Sequence, residues 1–465
     1  MATPVHYRDA VFAYVETAKS PQAIVSACVF AASDRPTDEL AAWLAERASK
    51  LALARRKMVR PLGDIGLPVW ADDPNFDADR HIHVHEADDW EALCALLPAI
   101  HAAPFDWSRP LWERHLIRGV RGIGGRDEPC DVVVGKIHHA VVDGKGGAEL
   151  IRTLFSAEPL PDYVPEKSTT RTAVTTRAVA AFPVTCGRLI GDLVRYRRAK
   201  KQVRAEADQW AKPVAQWPRT AINRELGPGR VVDATFFNVA ELSAAAAKIG
   251  DVTVNDVVLA VIGGALADYL GEVDGSLAAT VPISTRDLVD VETHNRFTTA
   301  TVNLHTEIAD PVMRVRAVHD EVRAEWARKL SPAHVRADAA APRLPGFVIR
   351  AAVRVFGALP KKSPTMPFAN FLATSVPMGP AEGWELAGSP ILAHFGMTTL
   401  VEPGGVGYLI TTIGDRLAVS VTADPRQVPD LADHIAQIRR GYERLMERTA
   451  EESVPVADEG RRLGA

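Results

Sequence analysis

The pattern of hydrophobic and polar positions changes period repeatedly along the first 160 residues. Runs of β-branched and apolar residues indicate strands, and apolar positions three or four apart indicate amphipathic helices. We predict strands over residues 27–30, 81–85, 116–120 and 131–138, and helices over 38–55, capped by Thr37, over 89–102 and from 147 onward. A glycine-rich turn at 122–125 joins the last two strands as a hairpin. Such mixing is typical of an α/β fold.

The pattern loosens over residues 161–228 and then resumes. This middle stretch contains recurrent prolines, a polar run and a basic run, which is typical of a crossover between domains. Beyond it we predict strands near 231 and over 278–283, 297–305, 370–376, 405–412 and 417–422, and helices over 244–248, 254–270, from 311 and over 431–448. The predicted organisation is therefore one domain over 1–160, a crossover linker over 161–228 and a second domain over 229–465.

The strand predicted over 131–138 ends in the most distinctive motif of the chain, His138-His139-Ala-Val-Val-Asp143-Gly144. Side chains alternate across a strand, so the two imidazoles should face opposite ways and only one should line a cavity. A histidine near its ordinary pKa can accept a proton from a hydroxyl and so make an alcohol nucleophilic. The motif indicates such a base, and a hydrogen-bonded core histidine is the other interpretation.

Composition narrows the class of protein. A content of 47% hydrophobic and 24% charged residues is that of a soluble globular protein, and the net charge of −4 gives no overall reason to expect a nucleic-acid partner. The four cysteines form no Cys-x-x-Cys, so neither a disulfide framework nor a zinc ribbon is indicated. We find no signal-peptide pattern and no apolar run of bilayer-spanning length, and we expect a cytoplasmic protein with peripheral membrane contact at most.

The histidine motif resembles the His-His-x-x-x-Asp-Gly signature of the coenzyme A-dependent acyltransferases. Other blocks are similar, in the same order, to those of the bacterial wax ester synthase/diacylglycerol acyltransferase family, namely Tyr7-Arg-Asp9-Ala-Val-Phe12, Pro68-Val-Trp70, Pro110-Leu111-Trp112, Pro218 to Asn223, Asn255-Asp256, Ser284-Thr-Arg286 and Val428-Pro429-Asp430. Two positions depart from the pattern, His294 where the family usually has glycine and Ser375 where it usually has asparagine.

The resemblance implies two chloramphenicol acetyltransferase-like α/β sandwich domains with a channel between them. It also implies transfer of an acyl group from acyl-CoA to diacylglycerol, giving triacylglycerol, or to a long-chain alcohol, giving a wax ester. Acyl-CoA is then a substrate, and neither a cofactor nor a metal is expected. In this scheme His139 is the general base, Asp143 has a structural role, and His138 and Gly144 orient the loop and permit its turn.

Four further residues are candidates for support of the site. Asn255 has an amide suited to a developing oxyanion, although Asn255 and Asp256 could equally cap the following helix. We expect Arg286 to pair with Asp143, since a buried carboxylate needs a compensating charge. Ser284 belongs to the same block as Arg286.

The chain lacks Gly-x-Ser-x-Gly, and no cysteine lies near the histidines in the sequence. No phosphate-binding loop has the required glycine spacing either. We therefore expect direct transfer between two bound substrates rather than an acyl-enzyme.

Several alternatives stay open at this point. The donor could be tethered to a carrier protein, as in condensation enzymes, or the chain could bind acyl-CoA or a lipid droplet without catalysis. The alternating residues His81, His83 and His85 could share a strand face and hold a metal, or simply pack. The basic stretch between Arg188 and Arg204 could contact anionic lipid or coenzyme A phosphates, or be solvated.

Overall fold

The computed structural model describes residues 2–166, 168–210, 217–286, 288, 293–358, 365–366 and 368–451. The first part of the chain contains strands β1 (Thr3–Pro4), β2 (Ala23–Ala31), β3 (Arg56–Val59), β4 (Val69–Asp72), β5 (Ile82–His85), β6 (Trp112–Val120) and β7 (Cys130–His138). Its helices are α1 (Tyr7–Val15), α2 (Thr37–Ser49), α3 (Ala52–Arg55), α4 (Trp90–Ala102) and α5 (Gly144–Leu154), followed by the long helix α6 (Arg171–Ala205).

The rest of the chain contains strands β8 (Trp217–Pro218), β9 (Val231–Asn238), β10 (Ala278–Ser284), β11 (Phe297–Asn303), β12 (Thr365–Met366), β13 (Phe371–Gly379), β14 (Glu385–Leu386), β15 (Ser389–Met397), β16 (Val406–Ile413) and β17 (Arg416–Ala423). Its helices are α7 (Val239–Ile249), α8 (Val254–Leu270), α9 (Pro311–Lys329), α10 (Pro332–Ala339), α11 (Gly346–Ala358) and α12 (Leu431–Glu451).

The first large sheet has the strand order β14-β15-β2-β7-β6-β5. Its central pairs are antiparallel, and only the edge strand β5 runs parallel to its neighbour β6. Strands β14 and β15 come from the far end of the chain, and β15 is a strand that the sequence pattern did not predict. A Cβ on Gly396 of β15 would lie 2.2 Å from the Val25 carbonyl oxygen of β2, so the absence of a side chain permits this pairing.

The second sheet has the order β11-β10-β13-β16-β17-β9, with parallel pairing of β13 to both β10 and β16. Helices α8, α9 and α12 pack together on it, and residues 256–266 of α8 are buried throughout. The two sheets with their helices confirm the predicted mixed α/β fold. Among the described residues no single helix has the length and apolar composition to cross a membrane. Helices α7 and α8 together have that length and composition, but the pair is bent by 93°.

Local predictions were confirmed for most strands and helices, with three corrections. Thr37 is the first helical residue rather than the cap, because Pro36 occupies the N-cap position, and the predicted helix 38–55 is divided between α2 and α3. His81 belongs to a 3₁₀ turn, so the strand begins at Ile82. The predicted linker is mainly the continuous helix α6.

Strand β15 of the first sheet contacts β16 and β17 of the second, and the end of β7 also lies close to the second sheet. Helix α5, which follows the histidine motif, packs on β13 of the second sheet. Val142 and Ala148 share one buried cluster with Val376 and Leu409. Burial of this apolar surface holds the end of β7 against the end of β13.

Candidate active site

The two histidines of the motif face opposite ways, as the alternation of strand side chains predicted. His138 is completely buried and packs edge-on against Trp107, with ring centroids 5.1 Å apart. Its Nδ1 accepts a hydrogen bond from the Ala140 N–H at 3.0 Å, which assigns the ring proton to Nε2. That Nε2 lies 3.7 Å from a carboxylate oxygen of Glu16. His138 is thus enclosed by its own half of the molecule.

His139 lies against a different set of residues. Its ring stacks on Phe12 of α1, with centroids 4.1 Å apart and planes 9° apart, and lies 6.3 Å from the ring of Phe297. Nδ1 is buried although the residue as a whole is partly exposed, so Nε2 is the nitrogen left for a substrate hydroxyl. Burial lowers the pKa of His139, so the ring is neutral at pH 7 and can accept a proton.

Asp143 fixes the loop after the histidines. It is the N-cap of α5, accepting from the Gly146 N–H at 2.8 Å, and its other oxygen accepts from the Arg296 N–H at 3.0 Å. It also forms the expected ion pair with Arg286. Within the described chain no hydrogen bond joins Asp143 to His139. The carboxylate therefore ties α5 to the segment before β11, which is the geometry expected of a structural residue.

Gly144 required a correction. It was expected to permit a turn, but its φ lies outside the left-handed region and it is the first residue of α5. A Cβ at this position would lie 2.8 Å from Cγ2 of Val376 on β13. Glycine is therefore required by the close approach of the second sheet and not by backbone strain.

A buried hydrogen-bond network holds the backbone of His139, and the sequence pattern did not reveal it. Asp9 is 1% exposed and accepts from Thr293 Oγ1 at 2.8 Å, from the His294 N–H at 3.1 Å, and from the Asn295 N–H and Nδ2 at 2.9 and 2.8 Å. Asn295 Nδ2 also donates to the carbonyl oxygen of His139 at 3.0 Å. Asp9 lies in a block used for the family resemblance and Asn295 follows His294, one of the two departures from the family pattern, but no local spacing relates positions so far apart.

Of the Asn255-Asp256 pair, Asp256 has the capping role that was considered for both residues. Asp256 belongs to a capping box: Thr253 is the N-cap of α8, and its N–H donates to Asp256 Oδ2 at 2.9 Å. Asp256 Oδ2 also lies 2.8 Å from Nδ1 of His319. Asn255 instead accepts, through Oδ1, a hydrogen bond from the hydroxyl of Ser375. A role for Asn255 at the oxyanion stays a prediction, since no hydrogen bond within the described residues joins it to the histidines.

The remaining candidates line the site or support it. Ser284 Oγ accepts a weak hydrogen bond, 3.5 Å long, from the N–H of Arg286. The side chains of His294, Arg286 and Arg296 line an open cavity of about 380 Å³ beside Asp143. A smaller apolar cavity of about 50 Å³ lies between the sheets, and its lining includes Ile137, Ala148, Ile151, Val376, Met378 and Leu409.

His81, in the 3₁₀ turn before β5, and His83 and His85 of β5 do not form a metal-binding face. His81 Nδ1 lies 2.7 Å from the Trp112 carbonyl oxygen, and its ring stacks on that indole. His85 Nε2 lies 2.9 Å from His115 Nδ1, and His83 stacks on the same His115 ring. Each imidazole has a packing or hydrogen-bonding partner. In the part of the chain that the structure describes, no group of three or more His, Cys, Asp or Glu side chains is placed to hold a metal.

Two α/β units that meet at a strand ending in His-His, with an Asp–Arg pair bracing the following loop, define the coenzyme A-dependent acyltransferase class. Solved structures of the same fold include a wax ester synthase/diacylglycerol acyltransferase from Marinobacter aquaeolei, with a TM-score of 0.65, 20% identity and coverage of 96% of this chain and 100% of that one. A starter condensation domain of rhizomide synthetase, solved with C8-CoA, has a TM-score of 0.56 and 13% identity, and covers 97% and 94%.

The chain belongs to the wax ester synthase/diacylglycerol acyltransferase family, and it is an acyltransferase of that family. The model of the family's catalytic domain matches residues 6–258, and that of its C-terminal domain matches residues 293–445. A Mycobacterium tuberculosis protein with the provisional name diacylglycerol O-acyltransferase is 28% identical over 456 residues, covering 91% of this chain and 86% of its own length. A similarly named Mycobacterium bovis protein is 28% identical over 476 residues, covering 96% and 91%.

Proposed function

We propose that the protein transfers an acyl group from acyl-CoA to the free hydroxyl of diacylglycerol, forming triacylglycerol, and that long-chain alcohols serve as alternative acceptors. The observation that carries the proposal is the state of His139. Its neutral ring stacks on Phe12, its backbone carbonyl accepts a hydrogen bond from Asn295, and its Nδ1 is buried, so that Nε2 is left for the acceptor hydroxyl. Family membership and the names of the mycobacterial relatives support the choice of donor and acceptor.

In the proposed reaction, Nε2 of His139 accepts the hydroxyl proton as the acceptor oxygen attacks the thioester carbonyl. The tetrahedral intermediate then collapses, the C–S bond breaks, and the departing thiolate of coenzyme A recovers that proton from the imidazolium. Asn255 is suited to the developing oxyanion, because its Oδ1 is engaged by Ser375 and its Nδ2 is left to donate. Coenzyme A enters as the carrier of the acyl group and leaves as a product, so the scheme uses no cofactor.

Direct transfer is favoured over an acyl-enzyme. The motif contains no hydroxyl or thiol beside His139. Cys28 lies on the adjacent strand β2, but burial raises the pKa of its thiol to about 12. Burial also raises the pKa of Cys130. Neither sulfur is activated as a thiolate nucleophile.

The acceptor is a lipid, and we propose that the protein works from the cytoplasm as a peripheral protein that meets a lipid surface. The small cavity between α5 and β13 has a mainly apolar lining, which also includes Arg114 and His394. The cationic side chains of Arg286 and Arg296 line the neighbouring open cavity, which suits the phosphates of coenzyme A.

The test is coenzyme A release from palmitoyl-CoA with diacylglycerol, with hexadecanol, or with no acceptor, together with identification of the lipid product. We expect release that depends on the acceptor, triacylglycerol as the product, and no acyl adduct on the intact protein. Turnover only with a carrier-protein thioester would instead indicate a condensation-type enzyme. Binding of palmitoyl-CoA by folded protein without turnover on any alcohol would indicate a non-catalytic role.

A further inference from the structure

Helix α6 lies outside both sheets, packs on α10 along one side and exposes much of the rest of its surface to solvent. It has 35 residues, and only Val174 and Asp192 are buried. A helix of this length extends about 50 Å. It carries nine arginine or lysine residues against one acidic residue, Asp192, whereas the whole chain has a net charge of −4. The helix is therefore a strongly cationic feature on a mildly acidic protein.

The exposed residues of α6 are segregated along its axis. The middle of the helix exposes five aliphatic side chains, namely Val179 (53%), Val184 (56%), Ile190 (66%), Leu193 (39%) and Val194 (42%). Most of the positive charge follows in the last turns, on Arg195, Arg197, Arg198, Lys200, Lys201 and Arg204. Isolated exposed aliphatic residues are ordinary on protein surfaces, but at 3.6 residues per turn Val179, Ile190, Leu193 and Val194 fall on one side of the helix, within about 23 Å, and form a distinct surface beside the basic segment.

The apolar part of this surface continues onto α11. The rings of Phe182 and Phe347 lie 6.5 Å apart, and Phe347 is itself 39% exposed. The helices are also joined by charge, since Arg343, just before α11, donates to Asp192 at 3.1 Å. We use the term docking face for Val179, Ile190, Leu193 and Val194 of α6 together with Phe347.

The docking face is connected to the candidate active site through α1. Helix α11 packs on α1, and α1 carries both Phe12, which stacks on His139, and the buried Asp9. The docking face is therefore linked, through α11 and α1, to the elements that position the base.

We propose that the docking face and the basic end of α6 dock the protein onto an anionic phospholipid bilayer. Three observations select this partner: the concentration of positive charge, aliphatic side chains that can enter the acyl boundary, and proximity to α1. Nucleic acid would match the charge but would leave the aliphatic residues without a partner. The inference rests on the proposed function in one respect, namely that the acceptor is a lipid delivered from such a surface.

The experiment is co-sedimentation of the purified full-length chain with sucrose-loaded vesicles of phosphatidylcholine alone or of equal parts phosphatidylcholine and phosphatidylglycerol. The vesicles contain neither diacylglycerol nor acyl-CoA, so binding is measured independently of catalysis. We expect at least about tenfold tighter binding to the anionic vesicles, weakened by added salt. Equal binding to both vesicle types, or no binding to the anionic ones, would overturn the proposal.

Two variants test the two parts of the surface. In the first, Arg197→Glu, Arg198→Glu and Lys201→Glu are combined, and we expect a loss of anionic-vesicle binding of about a hundredfold, since each cation near such a surface contributes roughly fivefold. In the second, Ile190→Ser and Val194→Ser should weaken binding while preserving its salt dependence. All five positions are exposed, so we expect wild-type melting temperatures.

The matched control reverses three exposed helical cations elsewhere, Lys248→Glu, Arg323→Glu and Arg440→Glu, and should bind like the wild type. If the control loses as much affinity as the α6 charge variant, the effect is one of net charge and the docking face is refuted. Coenzyme A release with a detergent-dispersed acceptor is measured in parallel. Its absence in the wild type would refute the proposed function and leave the vesicle result standing.

Discussion

Removal of the Asp9 carboxylate should damage both stability and turnover, because this group joins α1 to the segment that braces His139. In Asp9→Ala, four hydrogen bonds from residues 293–295 are lost at a site that is 1% exposed. A hydrogen bond to a charged group contributes about 1.5–3 kcal/mol. Asn295 Nδ2 keeps its bond to the His139 carbonyl, and the Asn295 N–H keeps a 3.3 Å contact with Thr293 Oγ1.

The net cost of Asp9→Ala is therefore about 3–5 kcal/mol rather than the full sum of four bonds. Asp9→Asn keeps the size of the side chain and one acceptor oxygen but sets an amide NH₂ against other donors, so we expect an intermediate loss. Because Asn295 loses its two hydrogen bonds to Asp9 and keeps only the weaker ones, His139 should be less well positioned, and kcat for acyl transfer should fall about tenfold to a hundredfold while KM for acyl-CoA changes little.

The assay is thermal unfolding of each variant, followed by acceptor-dependent coenzyme A release well below its melting temperature. Asp79→Ala, which removes an exposed carboxylate from a 3₁₀ turn, is the matched control and should melt and turn over like the wild type. An Asp9→Ala protein that melts at the wild-type temperature and keeps the wild-type kcat would refute the role assigned to the Asp9 carboxylate.

The close contact at Gly144 and the buried imidazoles of His394, His434 and His139 allow three further tests. Gly144→Ala should destabilise by about 1–3 kcal/mol in urea unfolding because its Cβ meets Val376, and Val376→Ala should restore part of the loss; an unchanged midpoint would contradict this. Burial lowers the pKa of His394 and His434 to about 4, below the value of about 6.5 in the unfolded chain. The free energy of unfolding should therefore be at its full value above pH 6.5 and fall as the pH decreases towards 4, by about 2 kcal/mol per histidine at pH 5. Equal free energies of unfolding at pH 7 and pH 5 would contradict this. Burial also lowers the pKa of His139, so the decline of kcat/KM that results from its protonation should be centred below pH 6.5. A decline centred above pH 6.5 would argue against this base.

Local features of the fold were predictable because they depend on neighbouring residues. The alternation of strand side chains placed His138 and His139 on opposite faces, and the need to neutralise a buried carboxylate identified Arg286 as the partner of Asp143. The capping interpretation of Asp256 followed from its position at the start of an apolar helix, and the structure places it in the first turn of α8, in a capping box with Thr253.

Features that depend on residues distant in sequence could not be predicted. Strand β15 pairs with β2, so that His394 lies opposite Cys28, and no periodicity encodes such a partner. Asp9 meets Asn295 only because the second half of the chain folds back onto α1. The reason for Gly144 is likewise a contact with Val376, which a turn signal within the motif does not reveal.

The proposed mechanism depends on His139 as the base of an acyl transfer to an alcohol. The most direct measurement compares acceptor-dependent coenzyme A release from palmitoyl-CoA by the wild type and by His139→Ala, with His83→Ala as a folded control from β5. We predict that His139→Ala retains binding of palmitoyl-CoA and loses about 10²–10⁴-fold in turnover, while His83→Ala is close to the wild type. Wild-type turnover by a folded His139→Ala protein would contradict the assignment.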